Sequence, residues 1–337
     1  MANFSPTNLV KAQALLNKKY QAPENRMKVS PAVALGLMNQ DFLIPGAADL
    51  RKREDRAVEA NILKRSKRAS GSARTHNHTG NRGDSFVLAL SWATFSDPFS
   101  ISLKQMDNNA FAFEQALAQQ FENSMKNIIE DIETDQVTYL QAQRTQINAA
   151  TQGGSFNGAN DAFEISTANQ FFQTIKSMMR QNNYRDELDV ILNPLGFIDA
   201  EYQKAQGAGN NANLTFQFNG MNIAESIELA DANYTTGALG LIMPKGSFAL
   251  LPWIPPVNRR GEGDYMSYVG GFGVMQDPWG LGITFAVHGY AERADASGSN
   301  GSSQDVVMQF ELSVDMASCL SPVSVATESV VFEVAKV

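Results

Sequence analysis

The sequence holds one cysteine, Cys319, three histidines and no long apolar run, and each shortage removes a class of chemistry. A single thiol excludes an internal disulfide framework and any zinc site built on clustered cysteines. His76 and His78 lie in a polar stretch with no evident third ligand, and His288, beside an apolar run, reads as a satisfied rim or buried histidine. No stretch approaches the roughly 18 uncharged apolar residues of a membrane span, so no membrane partner is expected. The first residues lack the basic-then-apolar layout of a signal peptide. Neither a phosphate-binding G-x-x-x-x-G-K-[ST] loop nor a G-x-S-x-G nucleophile elbow occurs. The run Gly270–Gly273 lacks the third glycine and the following helix of a dinucleotide fingerprint. With no nucleophile–base constellation, the chain reads as a protein that is not an enzyme, with no catalytic, cofactor-binding or metal residue to assign. Cys319 sits among small and apolar residues and reads as a buried apolar group.

What is present is ample apolar material. The chain has 337 residues, 43% hydrophobic and 18% charged, enough for a sizeable core in one large or two ordinary domains. It reads as soluble and cytoplasmic. The net charge of −8 hides an asymmetry: residues 1–82 carry 15 Lys and Arg against 6 Asp and Glu, a balance of +9, and the remainder balances at −17. The basic stretch runs from Arg51 through Arg56 to Lys64, Arg65, Lys67 and Arg68, without Phe, Trp or Tyr between Arg51 and Arg82. It lacks the interleaved aromatics of a single-strand groove. Three readings stay open: a solvated basic surface, contact with the acidic body of a neighbouring copy, or a nucleic-acid footprint over 51–82.

Prolines at 6, 23, 31 and 45 break residues 1–54 into an extended arm. Residues 55–103 read as a long hairpin: an outgoing limb over Arg56–Ser70 whose composition fits a helix as well as a strand, a polar turn-rich middle, and β segments over Ser85–Phe95 and Phe99–Leu103. Phe86, Leu88, Leu90 and Trp92 alternate along one face of the return limb, an apolar edge that needs a cover. No Gly or Pro interrupts 109–148, which the pattern predicts as one helix. Leu117, Phe121, Met125, Ile128, Ile132 and Tyr139 fall within a sector of about 80° and form its core face. Unbroken, it would span roughly 60 Å. Gln115, Gln119, Glu122, Lys126, Glu130, Glu133 and Gln141 are expected on its solvated face.

Beyond it, Thr167–Asn182 reads as a second amphipathic helix with Phe171, Phe172, Ile175, Met178 and Met179 inward. Leu188–Leu192 reads as a short buried strand, and Asn193 and Pro194 open a helix carrying Phe197, Ile198 and Tyr202. Weak β signals follow at Leu214–Phe218, after Gly220, and at Leu239–Met243. From Pro244 the chain reads as strand and loop, with Pro252, Pro255 and Pro256 excluding a helix. Ile283–Val287 and Val306–Val314 alternate as half-buried strands around a flexible tip at 296–303.

The order of these parts, with the helix 109–148, the segments Leu188–Pro194, Phe218–Ser226 and Gly240–Gly246, resembles the HK97-type major capsid protein of tailed phages. The resemblance implies an α+β fold with an N-terminal arm (1–54), an extended hairpin or E-loop (55–103), a P-domain with the spine helix (104–165), a mixed α/β A-domain (166–282) and P-domain return strands with the C-terminal tail (283–337). It implies self-assembly into pentamers and hexamers of an icosahedral head around double-stranded DNA, with the DNA contacted weakly and non-specifically. A separate scaffolding protein and a portal are implied partners. The location implied is the virion capsid, assembled in the host cytoplasm. Arg56, Lys64, Arg65, Lys67, Arg68, Phe86, Leu88 and Trp92 are the residues expected at contacts between subunits. An encapsulin-like nanocompartment shell shares the fold, and a DNA-binding protein using 51–82 is the alternative of a different class. A jelly-roll capsid protein is disfavoured by the long helix.

Overall fold

The computed structural model describes residues 10–16, 30–63, 85–102, 113–144, 156–166, 171–182, 184, 187–207, 216–218, 220–295, 304–322 and 329–337. In chain order these form helix α1 (10–16), α2 (Pro31–Met38), α3 (Gln40–Leu43) and α4 (Ala47–Lys52). Strands β1 (Glu59–Leu63), β2 (Ser85–Ala89) and β3 (Ser91–Ser102) precede the long helix α5 (Phe113–Ala142). Then come β4 (Phe156–Asn157), β5 (Ala162–Ile165), α6 (Phe171–Gln181), β6 (Leu188–Leu192) and α7 (Pro194–Gly207). The chain continues through β7 (Phe216–Phe218), β8 (Met221–Glu225), β9 (Leu239–Pro244), β10 (Phe248–Trp253), α8 (Pro256–Arg260) and β11 (Gly263–Asp264). It closes with β12 (Gly270–Gln276), β13 (Thr284–Asp295), β14 (Gln304–Leu320) and β15 (Phe332–Lys336).

Two sheets share the long helix. In the first, β14 pairs along one edge with β13 and then β10, and along the other with β3; β12 and β11 extend the β13 side. Side chains of β14 alternate: Met308, Phe310, Leu312 and Val314 join the core with α5, and Ala317 and Cys319 join a separate cluster with Leu43, Ile44, Ala47 and Leu50. Phe99 meets Phe121 edge-on at 5.0 Å and stacks with Phe310 at 5.4 Å, geometries that add to area burial. Burial pushes the Cys319 thiol up to about 12, which keeps it a protonated apolar group.

The second sheet runs β4-β5-β15-β9-β6-β8-β7. Leu188, Val190 and Leu192 face α6 and α7, and Ile191 on the opposite face joins the α5 core. Covering on both faces explains why every residue of Leu188–Leu192 is buried, including Asp189, whose carboxylate accepts the side-chain amides of Asn39 (3.3 Å) and Asn222 (3.0 Å). The inward set of α6 is the one the spacing gives, Phe171, Phe172, Ile175, Met178 and Met179. At the start of α7, Asn193 Oδ1 accepts the N–H groups of Gly196 (2.8 Å) and Leu239 (2.9 Å), an N-cap followed by proline at N1.

Several expectations change. The long helix ends at Ala142, not 148: the Arg144 N–H bonds to the Gln141 carbonyl at 3.2 Å and closes the last turn. Its start before Phe113 lies outside the described residues, as does the expected tip at 296–303. Pro252, Pro255 and Pro256 do not exclude a helix, because Pro256 opens α8 from the position where its missing N–H costs nothing. Ile198 and Tyr202 on α7 are exposed while Phe197 is buried. Strands β4, β5 and β15 lie in the sheet with β6, and β10, β11 and β12 lie in the sheet with β13 and β14. Strand β15 pairs in parallel with β5 and antiparallel with β9, so its place is fixed by partners remote in sequence.

Candidate assembly interface

The hairpin is built from β1 and β2, antiparallel with Glu59 opposite Ala89 and Leu63 opposite Ser85. Over Glu59–Leu63 its outgoing limb is therefore a strand. Its base is fastened to the body. Ala57, Ala60, Ile62 and Leu90 are buried with Leu43, Leu50, Ala249 and Leu251. The Trp92 indole N–H donates to the Ala57 carbonyl at 2.7 Å, and the Trp253 indole N–H to the Arg53 carbonyl at 3.1 Å. Arg259 donates to the carbonyls of Arg51 (3.3 Å) and Arg53 (2.5 Å) while its guanidinium lies 5.9 Å from the Trp253 ring centre. Backbone carbonyls of the basic segment are thus held by side chains of β10 and α8, and its charged heads are left at the surface.

The residues expected at subunit contacts divide. Arg56 is exposed and reaches Asp315 of its own chain at 3.8 Å, and the Thr94 hydroxyl donates to that carboxylate at 2.5 Å. Lys64, Arg65, Lys67 and Arg68 lie outside the described residues. Phe86 and Val87 are exposed. The expectation of a wholly bare apolar edge is corrected at Leu90, which is buried, and at Leu88 and Trp92, which pack on the cluster under α3 and α4. The physical reason is that the arm folds back beneath the return limb and covers its root.

The core face of α5 is as the spacing gives it: Leu117, Phe121, Met125, Ile128 and Ile132 are buried and Tyr139 is half-buried. The opposite face is not wholly solvated. Glu122 and Glu133 are buried, which corrects the reading of Glu133 as a surface acid. Glu133 accepts the backbone N–H groups of Ala32 (3.3 Å) and Val33 (3.1 Å) and the Ser226 hydroxyl (2.9 Å). These are the second and third residues of α2, whose N-cap Ser30 makes no side-chain cap bond. A carboxylate from the long helix therefore satisfies the orphan donors and faces the positive end of α2. Burial pushes Glu133 above the ordinary carboxylate value, against the lowering effect of these bonds.

A second buried charge closes the far end of the helix. Arg144 pairs with Asp231 at 2.9 Å and with Glu333, which is fully buried on β15. Burial lifts the Glu333 carboxyl to about 7, and Arg144 pulls it back only in part; its second oxygen has no partner. The loop 226–238 is strapped a second time where the Tyr234 hydroxyl donates to Glu164 at 2.9 Å. The sequence carries one signal for Glu333, a lone acid inside the apolar run 330–335. Nothing local marks Glu133, whose partners lie about a hundred residues away.

At the surface, Tyr268 and Val269 stand out on the turn between β11 and β12, with exposures of 87% and 80%. A cleft of about 240 Å³ beside the arm is lined by Arg51, Lys52, Pro252, Trp253, Ile254 and Arg259, among others. Among the described residues, no cluster of three His, Cys, Asp or Glu is arranged to hold a metal ion, and no helix is long and apolar enough to cross a membrane.

No protein-family model matches the sequence, and no curated protein does. Solved structures do. The chain is similar to the capsid chain of cyanophage Pam1, with 12% identity over 94% of each chain and a TM-score of 0.49. It is similar to the capsid chain of cyanophage A-1(L), with 12% identity over 93% of this chain and 94% of that one and a TM-score of 0.50. That second likeness runs over nearly the whole of both chains, and it gives this protein the α+β fold of a phage capsid chain.

Proposed function

We propose that this protein is the major capsid protein of a phage head, a structural protein that assembles with copies of itself into an icosahedral shell enclosing double-stranded DNA. The observation that carries the reading is the near end-to-end fold likeness to the cyanophage A-1(L) capsid chain. The hairpin supports it: a two-stranded ribbon is marginal alone, and this one buries its root against the body while exposing Phe86 and Val87 further out. Exposed apolar residues on such a ribbon are covered when a neighbouring copy packs there. In this reading Arg56, Lys64, Arg65, Lys67 and Arg68 add charge complementarity with the acidic remainder of an adjacent subunit, each pair worth about 0–1 kcal/mol where exposed and multiplied by the number of contacts. The subunits gather as pentamers and hexamers, with a separate scaffolding protein and a portal as partners, and assembly takes place in the host cytoplasm. Packaged DNA is contacted weakly and non-specifically.

The test is sedimentation of the purified chain, alone and co-expressed with a scaffolding candidate. Fast-sedimenting particles of uniform size are expected. A monomer that binds DNA with a steep salt dependence would replace the shell with the nucleic-acid reading.

A further inference from the structure

The first sheet presents two surface features that the assembly reading leaves unassigned. One is the cleft of about 240 Å³ at the arm. Arg51, Lys52 and Arg259 give it three cations, and no carboxylate lines it. Trp253 supplies an aromatic wall, with the Arg259 guanidinium over its ring, and Pro252 and Ile254 supply apolar ones. The volume is below the roughly 300–1,000 Å³ of small-molecule sites and suits one or two side chains.

The other feature is the turn between β11 and β12. It is pinned by its own polar groups: Asp264 accepts the Met266 N–H at 3.0 Å and, through its carbonyl, the Ser267 hydroxyl at 2.7 Å, and that hydroxyl accepts the Gly270 N–H at 3.0 Å. The turn holds Tyr268 and Val269 out in solvent with the exposed acid Asp264 beside them, while Glu262 is paired with Arg260. A tyrosine presented on a fixed turn loses little further conformational freedom on docking, which is the property of an interface anchor.

The two features match in chemistry. An aromatic and aliphatic tip beside the Asp264 carboxylate meets an aromatic-walled cleft flanked by cations, and arginine stacks favourably on tyrosine. The overall charge has the same sense, +9 for residues 1–82 against −17 for the rest. The turn does not fill the cleft of its own chain, because Tyr268 is 87% exposed. We propose that the Tyr268–Val269 turn of one copy seats in the Arg51–Lys52–Trp253–Arg259 cleft of the next. Two different surfaces make this a head-to-tail contact, which closes into rings or shells when the rotation permits. The inference rests on the assembly reading and specifies one of its contacts.

The test pairs Lys52→Cys with Val269→Cys in one chain, which keeps the Tyr268 anchor; the native Cys319 is buried and does not compete. Assembled, oxidised particles should give a ladder of trimers and longer chains on non-reducing gels, and each single variant should give monomers. Intact particles of the double variant that release only monomers would overturn the contact. As an independent arm, Tyr268→Ala should lower the apparent association constant about thirtyfold, as truncating an anchor does, with the monomer's thermal midpoint unchanged. An unaltered association constant would overturn it equally. Wild-type chain that never assembles would instead sink the shell reading itself.

Discussion

Glu133 Oε2 accepts the backbone N–H of Val33 at 3.1 Å across a sequence separation of 100 residues. A single carboxylate in the long helix thereby ties the start of α2 to the body. Replacing Glu133 by alanine leaves two backbone donors and the Ser226 hydroxyl buried without an acceptor. The cost expected from unsatisfied buried groups and a lost cap is about 2–4 kcal/mol. Chemical denaturation of the unassembled chain measures it, and hydrogen exchange at residues 32–35 should rise selectively.

Glu333 makes stability depend on pH. The folded chain holds its proton up to about pH 7, whereas the ordinary value is 4.5. The folded state therefore binds more protons between those values, and the group's contribution is most favourable below about pH 4.5. It is lost progressively as pH rises to about 7, by up to about 3 kcal/mol, and is flat above. Asp231 is held below its ordinary value by the Asn233 N–H and Arg144, against its own burial, so it does not titrate in this window. Glu333→Gln should flatten the wild-type slope between pH 5 and 7 in thermal melts; an unchanged slope would remove Glu333 as its source.

The root of the hairpin hangs on Trp92. Trp92→Phe keeps the ring in its cluster but deletes the bond to the Ala57 carbonyl. About 1 kcal/mol of stability should go, and amide exchange in 59–63 and 85–89 should quicken while the β13 and β14 amides stay protected.

Gly237 reports how tightly the strap lies on β15. A Cβ there would meet the Lys336 carbonyl oxygen at 2.3 Å, a backbone atom that cannot rotate away. Gly237→Ala should destabilise the chain by about 1–3 kcal/mol, read from its thermal midpoint.

Local pattern carried the elements whose environment is local. The 3.6-residue spacing of Leu117 to Ile132 and of Phe171 to Met179 names buried faces because a helix buries one stripe. Asn193 followed by Pro194 names a helix start because the cap is made within four residues. Glu133, Glu333 and strand β15 were not legible in this way, since each is defined by partners on other elements. Glu133 also sits where the helix is covered by the arm as well as by the sheet, and a one-stripe reading leaves that flank to solvent. Pro256 misled because the same residue that breaks a helix interior is well suited to its first position. Of the interface, the sequence showed the charge asymmetry and the apolar return limb; that the arm covers Leu90 and Trp92 required the tertiary fold.

The shell itself is tested most directly by negative-stain electron microscopy of the full chain, purified alone and with its scaffolding candidate, with light scattering on the same samples. The account predicts closed shells or rings of five and six subunits. A stable monomer or dimer under both conditions would contradict it.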